Sequence, residues 1–337
     1  MEEAILLSGI SIPITRSHPP VDKQSQVLPA VSIIIPVYNA EKNISALIGS
    51  LLDLEYPKEL LRIVFVDNNS CDKTKEIIRQ YPVTLLEENT IQSSYAARNR
   101  GIQNSKSEII AFTDSDCIVT PHWIQEGVMA LISESADLAG GKIEFIYSKH
   151  KTAAELYDSV TNLQTESSIK KMNAATTANL FVRSHVFEKV GLFPDSVKSG
   201  GDIQWTSRAT EAGFILIHVP NAIIHHPARC LKELLKKDFR VGTGLLGVFI
   251  TTKKTLPRII YSIARLFLPR RLSYIRMLAH VRGVAEINEK IVRIWCISYL
   301  CNISRILGIM SSLIRLLTGR NRISSDVKIL VNSTEQS

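Results

Sequence analysis

The sequence predicts an α/β fold in which a mostly parallel β-sheet is flanked by helices on both faces. Continuous apolar, β-branched runs alternate with segments of helical spacing along the first half of the chain, and no repeat of fixed period is visible. The chain has 337 residues, of which 45% are hydrophobic and 21% charged. This composition excludes a disordered chain, and this length allows one large domain or two ordinary ones.

The elements of the first half follow in order. Four segments have the uninterrupted apolar pattern of strands buried on both faces, namely 31–37, 62–67, 83–88 and 108–114. Four segments that alternate with them have apolar residues at helical spacing, namely 43–54, 72–81, 95–105 and 123–133. Asp72 is predicted to cap the second of these helices.

The alternation loosens after Ala139, but further elements are still predicted. The strands are expected at 142–147, 178–183 and 214–219, and the helices at 153–170, 185–190 and 202–212. Gly213 is expected to end the last of these helices.

The net charge of +8 is unevenly distributed along the chain. Residues 1–229 carry −5 and residues 230–337 carry +13. Charge and patterning together predict a loose lead-in over 1–28, an α/β domain over 29–229 and a basic, amphipathic helical region over 230–337. The acidic balance of the first part argues against a nucleic-acid-binding surface there.

The cysteines and the N-terminus both favour a cytoplasmic protein. The five cysteines show no CxxC spacing and no zinc-type cluster, so reduced thiols are expected. The N-terminus begins with acidic residues and has no long apolar run, which makes it a poor secretory signal.

Polar residues follow three of the predicted strands, at the sheet edge where open parallel sheets bind ligands. They are Tyr38-Asn39 after the first strand, Asp67-Asn68-Asn69-Ser70 at the end of the second and Asp114-Ser115-Asp116 at the end of the fourth. Such residues also form ordinary turns, so the coincidence of three sets carries the argument. There is no Gly-rich phosphate loop, which argues against a dinucleotide or P-loop site.

Asp114 and Asp116 form the most informative pair. Two carboxylates one residue apart, just past a buried strand, call for a counter-charge, and Mg²⁺ or Mn²⁺ prefers a few carboxylates together with substrate phosphates. We therefore expect phosphate binding through a metal ion. Cys117 follows the pair without an obvious base and is expected to be a packed small residue.

The motifs VSIIIPVYNAEKNI, VFVDNNSCDKT, AARNRGI and AFTDSDCIVTPHWI resemble those of the family 2 glycosyltransferases, and the likeness continues through GLFPDSVKSGGDIQWTSRATEAGF and VPNAIIHHPAR. It covers roughly residues 31–228. The resemblance implies a GT-A fold with a Rossmann-like sheet, a nucleotide-sugar donor and inversion at the anomeric carbon.

The resemblance also implies roles for the residues at the strand ends. The implied donor-binding residues are Pro36, Tyr38 and Asn39 at the nucleotide loop, Asp67 and Asn69 at the uracil or ribose, Arg98 near the diphosphate, and Asp114 near the sugar. Asp116 is implied as a metal ligand, with Asp114 as its partner carboxylate. Either His225 or His226 would lie near the metal or the diphosphate, although both could be exposed loop residues.

Asp202 corresponds to the last residue of the family's Gly-Glu-Asp motif and is implied as the catalytic base. The sequence departs from that motif, because Gly201 stands where the family has glutamate. Trp205 and Arg208 loosely resemble an acceptor-side motif, and Asn179 falls where family members shape the acceptor pocket. Packing for the tryptophan and a buried polar pairing for Asn179 are the structural alternatives.

The basic tail interleaves arginines with apolar residues over 256–271 and 291–317. Its longest uncharged run, 294–304, is shorter than the roughly 20 residues that span a bilayer. The pattern favours peripheral contact with an anionic membrane through 256–317. A soluble helical subdomain, a dimer interface and a tilted or re-entrant span stay open, whereas the tail is too apolar for nucleic acid.

The sequence therefore predicts an inverting, metal-dependent hexosyltransferase that uses a nucleotide sugar, with a UDP-sugar favoured. It would act at the cytoplasmic face of a membrane on a lipid-linked or saccharide acceptor, in polysaccharide or glycolipid synthesis. Two alternatives are an inactive GT-A-like assembly partner, left open by Gly201, and a nucleotidyltransferase. The latter usually carries a Gly-rich basic loop after the first strand, where this chain has PVYNAEKN.

Overall fold

A computed structural model describes residues 27–195, 197, 199–251 and 256–318. Nearly all of the predicted lead-in over 1–28, and residues 319–337 of the predicted tail, lie outside this part of the chain. The strands are β1 (Val31–Val37), β2 (Leu61–Asp67), β3 (Thr84–Glu87), β4 (Ile109–Thr113), β5 (Ile118–Val119), β6 (Leu138–Ile146), β7 (Asn179–Arg183) and β8 (Leu216–Pro227).

Helices cover both faces of the sheet and extend beyond it. They are α1 (Ile44–Leu52), α2 (Thr74–Ile78), α3 (Ser94–Gln103), α4 (Trp123–Ser133), α5 (Ala153–Thr161), α6 (Thr165–Met172), α7 (His185–Val190), α8 (Gly201–Glu211), α9 (Leu231–Thr251), α10 (Leu256–Ala264), α11 (Leu272–Val281) and α12 (Ile291–Leu317). The α/β class predicted from the sequence is confirmed.

The described strands form one sheet in the order β3-β2-β1-β4-β7-β6-β8-β5. The first four strands are parallel to one another, as predicted, and β6 is parallel to β8. The pairings of β7 with β4 and β6, and of β5 with β8, are antiparallel, so the sheet is mixed. The parallel half brings the carboxyl ends of β1, β2 and β4 to one edge.

Two helical layers bury the two faces of the sheet. One face packs against α1, α2 and α4, with Leu47 and Trp123 fully buried. The other packs against α3, α7 and α8, with Phe112 and Trp205 fully buried. This arrangement explains the uninterrupted apolar character of the central strands.

The helix predicted over 153–170 is in fact two helices with a corner at residues 162–164. At this corner Leu163 adopts a positive φ of 51°. The guanidinium of Arg282, from the loop after α11, donates to the Leu163 carbonyl at 2.9 Å and to Gln164 Oε1 at 2.7 Å. The break between α5 and α6 is therefore stabilised by Arg282, which is distant in sequence. The helical periodicity of 153–170 did not indicate this break.

The C-terminal helices share a third hydrophobic core with α5. Leu156 of α5 packs in one cluster with Leu234 of α9, Ile275 of α11 and Ile294 of α12, and all four side chains are fully buried. The net charge changes sign at Arg229, but the hydrophobic packing does not divide there. Helix α5 precedes Arg229 in sequence and shares a core with α9, α11 and α12, which follow it.

Candidate active site

A cleft of about 770 Å³ opens at the carboxyl ends of β1 and β4. Its walls come from the loop after β1, the start of α3, the Asp114–Asp116 turn, the start of α8 and the first turns of α9. The ionisable side chains that line it are Arg98, Asp114, Asp116, Asp202, Arg229, Lys237 and Arg240, besides the phenols of Tyr38 and Tyr95. Carboxylates and cations are thus interleaved around one cavity.

The loop after β1 lines the cleft as predicted, with Pro36, Tyr38 and Asn39. Asn39 adopts a positive φ of 50°, which asparagine tolerates better than most residues. Its side-chain oxygen accepts a hydrogen bond of 2.9 Å from the backbone N–H of Cys71. This bond ties the loop after β1 to the loop after β2 and leaves the Tyr38 ring half-exposed at the rim.

The residues after β2 are arranged differently from the prediction. Asp67 is fully buried, and neither it nor Asn69 lines the cleft, whereas Asn68 between them does. One carboxylate oxygen of Asp67 accepts from the backbone N–H of Ser70 at 3.1 Å, and the other is buried without a partner among the described residues. A buried carboxylate oxygen without a donor is costly unless a ligand supplies one.

Arg98 and Asp114 form a tight ion pair at the base of the cleft. The guanidinium lies 2.6 Å from Asp114 Oδ1, and the Arg98 residue is only 4% exposed. Its Nε–H is buried without an acceptor among the described residues. The pair satisfies one oxygen of Asp114 and leaves a cationic group able to donate toward the cleft.

Asp116 lines the cleft and has His226, which is buried behind the cleft surface, as a close neighbour. The distance from Asp116 Oδ1 to His226 Nε2 is 3.7 Å, and His226 is 1% exposed. His226 Nδ1 lies 2.7 Å from the Pro227 carbonyl, which only accepts, so Nδ1 carries the proton and Nε2 has the lone pair. Arg229 donates to that Nε2 at 3.2 Å.

The structure separates the two candidate histidines. Both lie inside β8, not in a loop after a strand, and successive residues of a strand point to opposite faces. His225 Nδ1 therefore lies 3.9 Å from Glu144 on the other side of the strand. Of the two, His226 alone is placed to act with Asp116.

Asp116 and His226 fit a hard or borderline divalent cation. Carboxylate oxygen and neutral imidazole nitrogen are ligands of Mg²⁺ and Mn²⁺ sites, which also take water and phosphate oxygens. Cys117 Sγ lies within 4.8 Å of both ligand atoms. Burial raises the pKa of the Cys117 thiol well above its usual range, so it stays protonated and is a poor ligand.

Asp202 lies in the first turn of α8, on another wall of the same cleft. The Tyr95 hydroxyl donates to its Oδ1 at 3.1 Å, and the backbone N–H of Thr177 donates to its Oδ2 at 3.2 Å. Gly201, which stands where the family has glutamate, leaves little room for a side chain. A Cβ there would lie 3.0 Å from the ring carbon Cε2 of Tyr95.

The three predicted acceptor-side residues do not line the cleft. Trp205 is fully buried and stacks on Phe187 at 4.6 Å, and Arg208 points away and donates to a backbone carbonyl. Asn179 is fully buried; its amide oxygen accepts from the Trp123 indole at 2.8 Å, and its N–H₂ donates to the carbonyls of residues 142 and 222. The packing and buried-pairing alternatives hold for these positions.

Sequence reasoning missed three cations that the C-terminal part contributes to the cleft, Arg229, Lys237 and Arg240. Arg229 is held by Asp158, which is fully buried, at 3.3 Å. Lys237 donates to the side-chain oxygen of Asn162, and burial lowers the pKa of Lys237 to about 8. The i, i+3 spacing of Lys237 and Arg240 on a helix was the available signal, but it lay in the basic region over 230–337, which sequence reasoning did not connect with the site.

Comparison with known proteins accords with this geometry. The Glycosyl transferase family 2 model matches residues 32–187. Glycosyltransferase AglE of Haloferax volcanii is 41% identical over 300 residues, which are 86% of this chain and 98% of that protein. The chain belongs to the family 2 glycosyltransferases. Its resemblance to that family in sequence motifs is thereby confirmed.

Two further relatives of this glycosyltransferase show the extent of the likeness. A poly(ribitol-phosphate) beta-glucosyltransferase of Bacillus spizizenii is 29% identical over 185 residues, which are 53% of this chain but 29% of that protein. The mannosyltransferase PcManGT of Pyrobaculum calidifontis, solved with GDP-Man and Mn²⁺, superposes with a TM-score of 0.61 at 19% identity, over 85% of this chain and 87% of that one. This superposition supports the GT-A-type fold.

Proposed function

We propose that this glycosyltransferase moves a sugar from a nucleotide sugar to an acceptor hydroxyl with inversion, and that it requires a divalent cation. The observation that carries the proposal is the placement of Asp116 and Asp202 on walls of one cleft, with buried His226 lying 3.7 Å from Asp116. Membership of the family speaks against the nucleotidyltransferase alternative. A UDP-sugar is the donor favoured by the sequence, and a GDP-sugar is the competing candidate because PcManGT was solved with one.

The donor nucleotide is proposed to lie along the strand ends. The half-exposed ring of Tyr38 offers a stacking surface for the base, and Asn39 and Asn68 offer polar contacts beside it. Asp67 does not line the cleft, so Asn68 is proposed in its place as the polar contact from the loop after β2. Arg98, with its unpaired Nε–H, is suited to the diphosphate.

Asp116 and His226 are the residues proposed to hold the cation, with Asp114 nearby and paired to Arg98. A bound Mg²⁺ or Mn²⁺ would offset the charge that grows on the leaving diphosphate. His226 would offer the cation the Nε2 lone pair that now accepts from Arg229, and Arg229 would keep its ion pair with Asp158.

Asp202 is proposed as the general base that takes the proton of the acceptor hydroxyl. Its Oδ1 already accepts from the Tyr95 hydroxyl and from the N–H of Ile203, while its Oδ2 accepts from Thr177 alone. Because each carboxylate oxygen can accept about two hydrogen bonds, Oδ2 has room for the acceptor hydroxyl. Attack from this side in one in-line step would invert the anomeric carbon.

A screen of nucleotide sugars tests this proposal. UDP- and GDP-sugars with Mn²⁺ should raise the apparent melting temperature of the protein, and EDTA should abolish the effect. The donor found in this way should then be hydrolysed or transferred by the wild type and not by Asp116→Ala. A donor that binds without any turnover by the wild type would favour an inactive assembly module instead.

We also propose that the C-terminal helices contact a membrane surface. Within the described residues, one stretch, Ile291–Arg315 of α12, is long and apolar enough to cross a bilayer, and most of its apolar part is not buried. Such a helix by itself is a weak indication of a membrane protein. Two polar side chains at the middle of α12 turn inward, since Ser304 donates to a carbonyl of α9 and Arg305 pairs with Asp238 of α9. The outward face carries exposed apolar residues at helical spacing, among them Val292, Trp295, Tyr299, Ile303, Leu307, Met310, Ile314 and Leu317.

Basic residues beside this apolar face suit an anionic membrane. Arg265, Arg271, Arg276 and Arg293 are exposed in the same helical region. Apolar side chains interleaved with arginines and aromatic residues are typical of helices that lie in a membrane interface. A lipid-linked acceptor would then reach the cleft from the membrane side, and the cytoplasmic location stays a prediction of the sequence.

Flotation with vesicles tests the membrane proposal. The wild type should float with vesicles that contain phosphatidylserine and less with pure phosphatidylcholine. Leu307→Asp should reduce flotation, whereas Met129→Asp, at a half-exposed position on α4, should not. If Leu307→Asp changes the oligomeric mass and leaves flotation unchanged, the face is an interface between two copies and the membrane proposal is wrong.

A further inference from the structure

The environment of the proposed base contains a buried phenol that the proposed mechanism does not yet use. Tyr95, in the first turn of α3, is 6% exposed and lies against the start of α8. Its hydroxyl donates to Asp202 Oδ1 at 3.1 Å and accepts from the backbone N–H of Gly201 at 3.0 Å. These bonds join Tyr95 to Gly201 and Asp202, the first two residues of α8, which lie 106 and 107 residues later in the sequence.

We propose that Tyr95 is the positioning residue that fixes the carboxylate of Asp202 for proton abstraction. This inference rests on the proposed role of Asp202 as base. A hydroxyl that accepts from the helix N-terminus and donates to the carboxylate fixes the backbone and the side chain of the base together. With Thr177 on the opposite oxygen, the carboxylate is held from two sides.

The phenol is suited to this role because it stays protonated. Burial, followed by the charge of Asp202, raises the pKa of Tyr95 above its usual range, so the hydroxyl remains a hydrogen-bond donor at physiological pH. The guanidinium of Arg98 lies 5.7 Å from the centre of the Tyr95 ring and also pairs with Asp114. The same ring therefore packs against both the base and a residue of the proposed donor site.

The glycine at 201 is part of the same arrangement. A Cβ at this position would lie 2.8 Å from Val197 Cγ2, closer than real Cβ contacts, and 3.0 Å from Tyr95 Cε2, which is tighter than most of them. A side chain at 201 would therefore press on the ring whose hydroxyl holds Asp202. Gly201 thus permits the close approach of Tyr95, which gives the departure from the family motif a physical reason.

Steady-state kinetics of Tyr95→Phe test the proposal. We expect kcat to fall about 10- to 100-fold, the loss typical of a misplaced catalytic group, with the donor KM within about twofold of wild type. In an Asp202→Asn background the same substitution should cause no further loss. Tyr56→Phe is the matched control, because Tyr56 is an equally buried phenol that donates to the Pro29 carbonyl at 2.6 Å and does not line the cleft.

A second variant reaches the same contact from the other side. Gly201→Ala should lower kcat like Tyr95→Phe, and the two together should lose less than the product of the separate losses. Gly49→Ala, where a Cβ would meet nothing within 4 Å, is its control. The proposal is overturned if Tyr95→Phe leaves kcat unchanged or if its loss persists undiminished in the Asp202→Asn background. Loss of turnover in Asp202→Asn with full turnover in Tyr95→Phe would refute the positioning role alone and leave the proposed base intact.

Discussion

The adjacent histidines of β8 allow a sharp test of the proposed cation site. We expect His226→Phe to weaken Mn²⁺ binding strongly and His225→Phe to leave it unchanged. Phenylalanine keeps a ring at the buried position, where Phe145 lies 6.0 Å away between ring centres, but it offers no lone pair. Because the two histidines point to opposite faces of one strand, each variant is a control for the other.

The size of the effect follows from the ligands present. Among the described residues, Asp116 and His226 are the pair placed to bind the cation, so the substitution removes half of the protein's contribution. Loss even of an outer-shell partner typically lowers metal affinity 10- to 100-fold, so a direct ligand should cost about 100-fold or more. This loss corresponds to about 3 kcal/mol. Arg229, 3.2 Å from the histidine in the wild type, would also be freed to pair with Asp116 and would add to the loss.

The assay is the free Mn²⁺ signal in electron paramagnetic resonance, titrated with protein in the presence of the donor nucleotide. The Mn²⁺ dependence of donor turnover should shift in parallel. Equal Mn²⁺ affinity in His226→Phe and wild type would refute the assignment of His226. Equal losses in both histidine variants would refute the argument from strand alternation.

Three other consequences can be checked independently. Because the pKa of Lys237 is about 8, the cleft loses a positive charge as the pH rises through that value. The affinity for a nucleoside diphosphate, measured by calorimetry, should therefore fall between about pH 7 and 9 in the wild type. It should not change with pH over this range in Lys237→Met. Asn179→Ala removes a side chain with three hydrogen bonds and should lower the free energy of unfolding by about 2–4 kcal/mol, visible as a fall in melting temperature of about 3–6 °C; an unchanged melting temperature would contradict it. Gly308→Ala would place a Cβ 2.2 Å from the Phe239 carbonyl of α9, so it should cost about 1–3 kcal/mol and separate α12 from α9, whereas Gly49→Ala should cost nothing.

The sheet edge that carries the cleft was predictable because buried parallel strands have a strong sequence signal. The runs at 31–37 and 108–114 end where β1 and β4 end, within one residue, and α4 and α7 have the predicted bounds. Parallel strands then bring their carboxyl ends together by geometry, so Asn39 and Asp116 could be assigned to one site without knowledge of the packing.

The position of the histidines was not predictable from local chemistry. The segment VPNAIIHHP contains proline and asparagine, which indicate a turn, yet β8 continues through it to Pro227. Pairing with β6 on one side and β5 on the other, with a register shift between Gly141 and Lys142, sustains the strand. Tertiary pairing overrode the local signal and decided which histidine faces Asp116.

The positions of the acceptor-side residues of α8 depend on what each side chain packs against, which a motif does not specify. Asp202 lines the cleft from the first turn of α8, whereas Trp205 stacks on Phe187 in the core and Arg208 is exposed and donates to the Leu192 carbonyl. Trp205 is consequently a core residue. Lys237 and Arg240 of α9 were not predicted as site residues for a different reason. The change in composition at Arg229 suggested that the segment after it is separate, whereas α9 packs against α5 and lines the cleft.

Donor binding and turnover in Asp202→Asn test the proposed base most directly. We expect this variant to bind the donor and Mn²⁺ with wild-type affinity, because the proposed cation site lies on a different wall of the cleft, while turnover falls at least a hundredfold for want of a base. Turnover retained at the wild-type rate would contradict the central claim that this cleft performs glycosyl transfer through Asp202.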